Sequence, residues 1–376
     1  MNNKSILFCT GIFPPEIGGP ATYVFKMAQK MSTDGIKNSI ITYSDRNNFD
    51  DYGLDVHRVE RKNFLYNYTK YFLKVLKIGK NFDILYIQGS FSEGIPTILA
   101  SFFLRKKTII RIGGIFSWEI SFHNRWTTDL ADDFLTKKQK FIPEILKIID
   151  RLVISQCSNI ITNSLYTKKL LVLNGIKNKQ IEVIYNSFDN PDFEVIDKEA
   201  CKKELGVENK KIILSIGRFV PWKNFDKLIE FSRNLSDDFV IFIAGEGTEK
   251  EHLEKMMLAY ALDKKVFILN KLSKPELYKM YQVVDIFVLL SSFEGLSHVL
   301  IEAMAMNLPI ISSNIDPNLE ALDGYNKYKC ININEDEFLC AIDFFKKNKT
   351  PKASNTLNKY NLENIYIKTL KILCEY

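Results

Sequence analysis

Ser291-Ser292-Phe293-Glu294-Gly295-Leu296-Ser297-His298-Val299-Leu300-Ile301-Glu302-Ala303-Met304-Ala305 follows directly on the apolar run Val283 to Leu290. The run reads as a buried strand ending at Val288-Leu289-Leu290, Glu294-Gly295 as a loop, and Val299 to Met306 as a helix. Two carboxylates therefore flank one strand-to-helix turn. A helix N-terminus offers free backbone N–H groups and the positive end of its dipole, which suits a phosphate. Glu294 in the loop is placed to accept sugar hydroxyls, and Glu302, one to two turns into the helix, a ribose diol. The plain alternative makes Glu294 a solvated loop residue and Glu302 a helix-face charge.

The same unit, a short apolar strand followed by a turn and a helix, recurs along the chain. In the first half, apolar runs at Ile6–Thr10, Ser39–Tyr43, Ile84–Ile87, Thr108–Ile112 and Ile160–Thr162 alternate with helical patterns at Ala21–Met31, Asn67–Lys77 and Pro143–Cys157. In the second, Ile212–Ile216, Val240–Ala244, Val266–Leu269, Ile286–Leu290 and Pro309–Ser312 alternate with Phe225–Leu235, Glu249–Tyr260, Pro275–Gln282 and Val299–Met306. Such alternation predicts an α/β protein with parallel, doubly wound sheets whose ligands sit at the C-terminal ends of strands. Asn190-Pro191-Asp192 marks a linking loop, and the polar stretch Lys346 to Lys359 precedes a last helix over Glu363–Cys374.

Three further strand ends carry chemistry. Leu214-Ser215-Ile216-Gly217-Arg218-Phe219-Val220-Pro221-Trp222-Lys223-Asn224 is a strand, a glycine turn and two cations five apart before a helix; a forked guanidinium and a point-charge ammonium suit a departing diphosphate. Phe242-Ile243-Ala244-Gly245-Glu246-Gly247 is a strand and a glycine turn. Near the N-terminus, Gly18-Gly19 precedes a helix, where backbone can approach a ligand closely. That loop lacks both the Gly-x-Gly-x-x-Gly fingerprint and the Gly-Lys-Ser/Thr ending of a P-loop.

Taken in order, these segments resemble the retaining nucleotide-sugar glycosyltransferases of family 4, over residues 6 to about 320. The Glu-Gly-x6-Glu-Ala-Met-Ala stretch from Glu294 to Ala305 is the most specific match. The resemblance implies the GT-B fold: two Rossmann-like domains facing a cleft, with a C-terminal helix crossing back to the first. The expected division is an acceptor domain over 1–188, a donor domain over 189–360 and the returning helix over 361–376. It implies that Gly18, Gly19, Gly217, Gly245, Gly247, Gly295, Leu296, Ser297, His298 and Glu302 surround the donor. Arg218, Lys223 and Glu294 would act in catalysis, with no metal and no cofactor beyond the nucleotide sugar, UDP- or GDP-linked. The absence of an Asp-x-Asp motif agrees. At Ile181-Glu182-Val183-Ile184-Tyr185-Asn186-Ser187-Phe188-Asp189, Ser187 stands where the family usually has glycine.

On the acceptor side, Ile110-Arg111-Ile112-Gly113-Gly114-Ile115-Phe116-Ser117-Trp118-Glu119 resembles a segment that a bacterial branch writes Gly-Asp-x-x-Trp-Glu. Ile115 replaces that aspartate, so base assistance from it is lost. Glu119 enters as a catalytic candidate, Trp118 and His123 as residues of the acceptor or membrane side.

With 46% hydrophobic and 26% charged residues, 376 residues suffice for two globular domains. The six cysteines are scattered without metal-ligand spacing, which predicts reduced thiols and a cytoplasmic setting. The apolar stretch Ser5 to Phe13 ends at Pro14-Pro15 and reads as a first strand in place of a signal peptide. The net charge of +6 hides an asymmetry: residues 1–186 hold 26 basic against 16 acidic side chains, residues 187–376 hold 25 against 29. Arg61 to Lys80 holds six basic residues and no acid, with Lys70, Lys74 and Lys77 on one helical face among aromatics. Such a helix suits an anionic membrane surface, although packing on its own sheet would use the same pattern. Nucleic acid is disfavoured by the acidic second half. The expected activity is sugar transfer to a lipid-linked glycan at the inner face of the cytoplasmic membrane, in O-antigen, capsule or other surface-polysaccharide assembly. The alternatives are a non-catalytic membrane-associated partner and a nucleotide-sugar epimerase-like enzyme on the same fold.

Overall fold

The structure, a computed structural model, describes residues 4–16, 18–45, 51–188, 195–348 and 357–374. Ile17, the Asn190-Pro191-Asp192 loop and residues 349–356 of the polar stretch lie outside the described residues. The chain divides into two compact units, Met1–Ser187 with Leu362–Tyr376, and Phe188–Asn361.

The first unit is built on seven strands, β1 (Ile6–Cys9), β2 (Asn38–Ser44), β3 (Val56–Glu60), β4 (Ile84–Ile87), β5 (Lys107–Ile112), β6 (Asn159–Thr162) and β7 (Ile181–Val183). All pairings are parallel, in the order β3-β2-β1-β4-β5-β6-β7. The sequence shows why: β1 and β4 read ILFC and ILYI and are buried along their whole length, as strands covered on both faces must be. Between them run α1 (Gly19–Thr33), α2 (Phe64–Gly79), α3 (Gly94–Leu104), α4 (Phe116–His123), α5 (Ala131–Thr136), α6 (Phe141–Ser155) and α7 (Leu165–Leu173). The chain moves one way across the sheet from β1 to β3 and the other way from β3 to β7, so right-handed crossovers put α1 on one face and α2, α3, α6 and α7 on the other. Strand order reverses between β1 and β4, the switch point at which such sheets open a crevice.

The second unit has six parallel strands, β8 (Lys211–Ile216), β9 (Phe239–Ala244), β10 (Val266–Leu269), β11 (Ile286–Leu289), β12 (Ile310–Ser313) and β13 (Tyr328–Ile331), in the order β10-β9-β8-β11-β12-β13. Its helices are α8 (Lys198–Glu204), α9 (Phe225–Ser232), α10 (Lys250–Ala259), α11 (Lys274–Val283), α12 (His298–Ala305), α13 (Asp316–Leu322) and α14 (Glu335–Lys347). One face packs Ile213, Ile241 and Val288 of the strands against Phe225, Leu228 and Phe338 of the helices. The switch point falls between β8 and β11.

The last helix, α15 (Leu362–Cys374), belongs to the first unit. Its Ile365, Tyr366 and Leu373 share a core with Tyr23, Met27 and Met31 of α1. The Tyr366 hydroxyl donates to Asp34 at 2.6 Å, and Thr369 lies 3.3 Å from the Tyr23 hydroxyl. All six cysteines are free; burial pushes the Cys9 and Cys157 thiols up to about 12, so neither is a reactive thiolate.

Candidate functional site

The C-terminal ends of β8, β9 and β11 define the site in the second unit. Immediately after β8 and β9 the backbones nearly touch: a Cβ on Gly245 would sit 1.9 Å from the Gly217 carbonyl oxygen. Gly247, at φ +153°, passes against the Phe219 backbone in the same way, its Cβ position 2.4 Å from the Phe219 oxygen. Only glycine permits both approaches. Hydrogen bonds from Phe219 N–H to Glu246 O at 2.8 Å and from Glu249 N–H to Phe219 O at 3.0 Å then lock the two loops together.

Past Gly217 the chain exposes Arg218, whose guanidinium stands 5.9 Å over the Trp222 ring and carries no ion pair among the described residues. A short 3-10 turn, Pro221–Lys223, ends at Asn224 in the left-handed region at φ 52°. That turn is tied to the β11 loop: Asn224 Nδ2 donates to Leu290 O at 2.7 Å and Ser292 N–H to Trp222 O at 2.8 Å. The tie delivers Lys223 Nζ to Glu294 Oε1, an ion pair between two nearly buried side chains. Ser291 Oγ donates to the same oxygen at 2.7 Å. Glu294 is thus held by two partners, with its second oxygen left for another.

After Glu294 the loop turns through Gly295 and the buried Leu296 and Ser297 into α12, whose first residue, His298, is exposed. Ser297 Oγ is buried without a hydrogen-bond partner among the described residues, at the start of α12. Further along α12, Glu302 Oε2 accepts a 2.9 Å hydrogen bond from the hydroxyl of Tyr281, a fully buried residue of α11. The structure therefore brings Gly217, Arg218, Lys223, Gly245, Gly247 and Glu294 to Glu302 to adjacent strand ends of one sheet. Gly18 and Gly19 belong to the first unit, at the start of α1.

In the first unit two sequence expectations are corrected. Trp118 does not face an acceptor or a membrane: it is fully buried, and its Nε1–H donates to Asp129 O at 2.9 Å, anchoring the segment after α4. Lys74 does not share a free face with Lys70 and Lys77, because its ammonium turns inward to Arg58 O at 2.6 Å and burial lowers its pKa, while Lys70 and Lys77 stay exposed. Glu119, the catalytic candidate, lies in the first turn of α4 after β5 stops at Ile112, its carboxylate folded over Gly114. Ile115 is in the core, and His123 is exposed at the last position of α4.

Sequence reasoning missed Tyr281 and Ser291, which orient the two glutamates, and Glu93. Glu93 lies at the C-terminal ends of β1 and β4, enclosed by Gly11 and Gly89, with Ser92 Oγ donating to its carboxylate. Burial pushes its carboxyl above the usual range, partly offset by Ser92 and the Gly11 N–H. The signal was the Gly89-Ser90-Phe91-Ser92-Glu93-Gly94 run after a strand. Among the described residues no cluster of His, Cys, Asp and Glu is arranged to hold a metal.

The chain is 23% identical over 350 residues to an uncharacterized glycosyltransferase, MJ1069, of Methanocaldococcus jannaschii, covering 87% of this chain and 85% of that one. It is 30% identical over 192 residues to an N-acetylgalactosamine-N,N'-diacetylbacillosaminyl-diphospho-undecaprenol 4-alpha-N-acetylgalactosaminyltransferase of Campylobacter jejuni, 51% of each chain. Among solved structures, Anabaena Alr3699/HepE in complex with UDP and glucose superposes with a TM-score of 0.80 at 17% identity, over 99% of this chain and 100% of that one, which shows the GT-B fold. The models for Glycosyltransferase Family 4 and for Glycosyl transferases group 1 match residues 17–190 and 197–363 in turn, and the chain belongs to this family of glycosyltransferases.

Proposed function

We propose that this chain transfers a sugar, with retention of anomeric configuration and without a metal ion, from a nucleotide diphosphate sugar to a hydroxyl of a lipid-linked glycan. The observation that carries the reading is the convergence, at the switch point of the second unit, of Arg218, the Lys223–Glu294 pair, the orphaned Ser297 hydroxyl at a helix start and the Tyr281-braced Glu302. Cations and N–H groups facing one anion-sized site stabilise charge that grows on a departing diphosphate. Lys223 is held by Glu294 before the donor arrives, so its position is set in advance and little reorganisation is needed. Glu302 receives the ribose hydroxyls and the open oxygen of Glu294 a donor-sugar hydroxyl. The departing phosphate itself takes the acceptor proton, a step that needs no protein base.

The Campylobacter relative carries diphospho-undecaprenol in its name, and the basic first half of this chain suits an anionic membrane surface. Both support a polyprenyl-linked acceptor and peripheral placement at the cytoplasmic face, in O-antigen, capsule or related assembly. No helix among the described residues is long and apolar enough to cross a membrane. UDP- and GDP-sugars are the expected donors.

Calorimetry with UDP-, GDP-, ADP- and CMP-sugars on the wild type, Lys223→Ala and Glu302→Ala tests the site. One nucleotide class should bind and lose at least about tenfold in affinity in each variant. Silence across the panel in folded protein would overturn the reading. NMR of the product's anomeric proton then decides between retention and inversion.

A further inference from the structure

The helical layer on one face of the first unit is apolar on its outer side as well as its inner one. α6 buries Pro143, Asp150, Val153 and Ile154, and Asp150 is fixed there by Ser117 N–H at 3.2 Å and Ser117 Oγ at 2.8 Å. Directly opposite, Phe141, Ile145, Ile148 and Leu152 recur at helical spacing and form a stripe that faces solvent, Phe141 with 80% of its surface exposed. Next to it α3 contains no charged residue at all, the pattern of a helix enclosed on every side. Yet Phe103 is 74% and Phe102 60% exposed, with Leu99 half-exposed beside them. The two helices pack together, Val153 of α6 against Gly94 of α3, and Phe72 of α2 meets Phe103 at 5.9 Å. The exposed apolar side chains of these two neighbouring helices make up an α3–α6 ridge, more than the single scattered hydrophobic side chains that need no explanation.

Charge names the occupant. The segments that form this layer, residues 64–80, 94–107 and 137–152, hold twelve Lys and Arg against two acids, and one of those acids is the buried Asp150. Lys70, Lys77, Arg105, Lys138, Lys140 and Arg151 are all exposed around the ridge. An apolar ridge rimmed by cations on a unit with excess positive charge matches the interface of an anionic bilayer, hydrocarbon under the aromatics and phosphate headgroups at the rim. A protein partner of equal apolarity would not need a rim so uniformly basic.

We propose that the α3–α6 ridge is a monotopic membrane-docking face, with Phe102, Phe103, Phe141 and the α6 stripe entering the headgroup–acyl boundary of an anionic bilayer. This deepens the lipid-linked acceptor reading and rests on it: an acceptor anchored in a bilayer must be met at the bilayer surface. It also moves the contact away from the lysines of α2, which become rim, to aromatic side chains that insert.

Flotation of the full-length protein with vesicles of phosphatidylethanolamine and phosphatidylglycerol, 3:1, against pure phosphatidylcholine, tests the face. Wild type should float with the anionic vesicles. The triple variant Phe103→Ser, Phe141→Ser, Leu152→Ser should lose about a hundredfold in partitioning, the product of roughly fivefold for each half-inserted side chain. The three positions are exposed, so thermal unfolding and nucleotide-sugar binding should match wild type; a Lys70→Glu, Lys77→Glu variant should lose less and only at low salt. Failure of wild type to float, equal flotation of the triple variant, or a wild-type dimer that the triple variant abolishes without change in flotation, would each overturn the proposal. A chain that binds a nucleotide sugar but does not float keeps its proposed activity and loses this face; one that floats without binding any nucleotide sugar does the reverse.

Discussion

Tyr281→Phe isolates one oxygen atom. The ring is fully buried, 6.0 Å from Phe287, and phenylalanine fills the same space; what disappears is the hydrogen bond to Glu302 Oε2 at 2.9 Å. A hydrogen bond to a carboxylate contributes about 1.5–3 kcal/mol when buried. Glu302 is only partly buried, and water recovers some of that, leaving roughly 1–1.5 kcal/mol. If Glu302 receives the ribose, most of this appears as lost preorganisation: the Kd of the nucleoside diphosphate rises about tenfold, with urea-unfolding stability within about 0.5 kcal/mol of wild type. Calorimetric titration of the preferred nucleotide and urea denaturation, run on the same preparation, separate the two. An unchanged Kd together with a full loss of stability would show that Tyr281–Glu302 is a fold contact, and the ribose assignment would fall.

Gly245→Ala should destabilise the protein by about 1–3 kcal/mol or more in urea and abolish nucleotide binding, since the new methyl meets backbone that cannot step aside; near-native stability would mean that the two loops separate easily. Glu93→Gln should change stability with a definite sign. The native state keeps the Glu93 proton longer than the unfolded chain does, so the cost is absent below the ordinary glutamate range and grows as pH rises through the native pKa. The glutamine variant should therefore gain on wild type between pH 5 and 8 in urea midpoints, and parallel pH profiles would refute it. Transfer activity should persist in excess chelator; loss that returns with Mg2+ or Mn2+ would place a metal in the reaction.

Where a strand is buried on both faces, its position could be read from the sequence: Ile84–Ile87 lies where its apolar run places it, and Val240–Ala244 falls within one residue of β9. β3 was not legible, because Val56-His57-Arg58-Val59-Glu60 is a half-exposed edge strand with a single fully buried residue. α3 escaped for the opposite reason: without a polar side there is no helical period to detect, and only the packing beside α2 and α6 reveals it. At the candidate site the loop residues and the two glutamates stood out by spacing after strand ends. Their braces, Tyr281 and Ser291, did not. Tyr281 lies 21 residues before the carboxylate that its hydroxyl reaches, and no local pattern encodes a contact made by two helices folding onto one sheet.

The place of α15 sets the order in which the protein can be completed during synthesis. Phe188 and Asn361 lie side by side as a bridge, with Phe188 N–H bonded to Tyr360 O at 2.8 Å, so the second unit's entrance and exit are pinned together. All of that unit has been translated before the first unit receives Ile365, Tyr366 and Leu373. At about 5–20 residues per second, the earlier-made half waits many seconds with an open seam along α1. The domain translated first is the last to close, and a premature stop that removes only α15 would cripple the half of the protein made at the beginning.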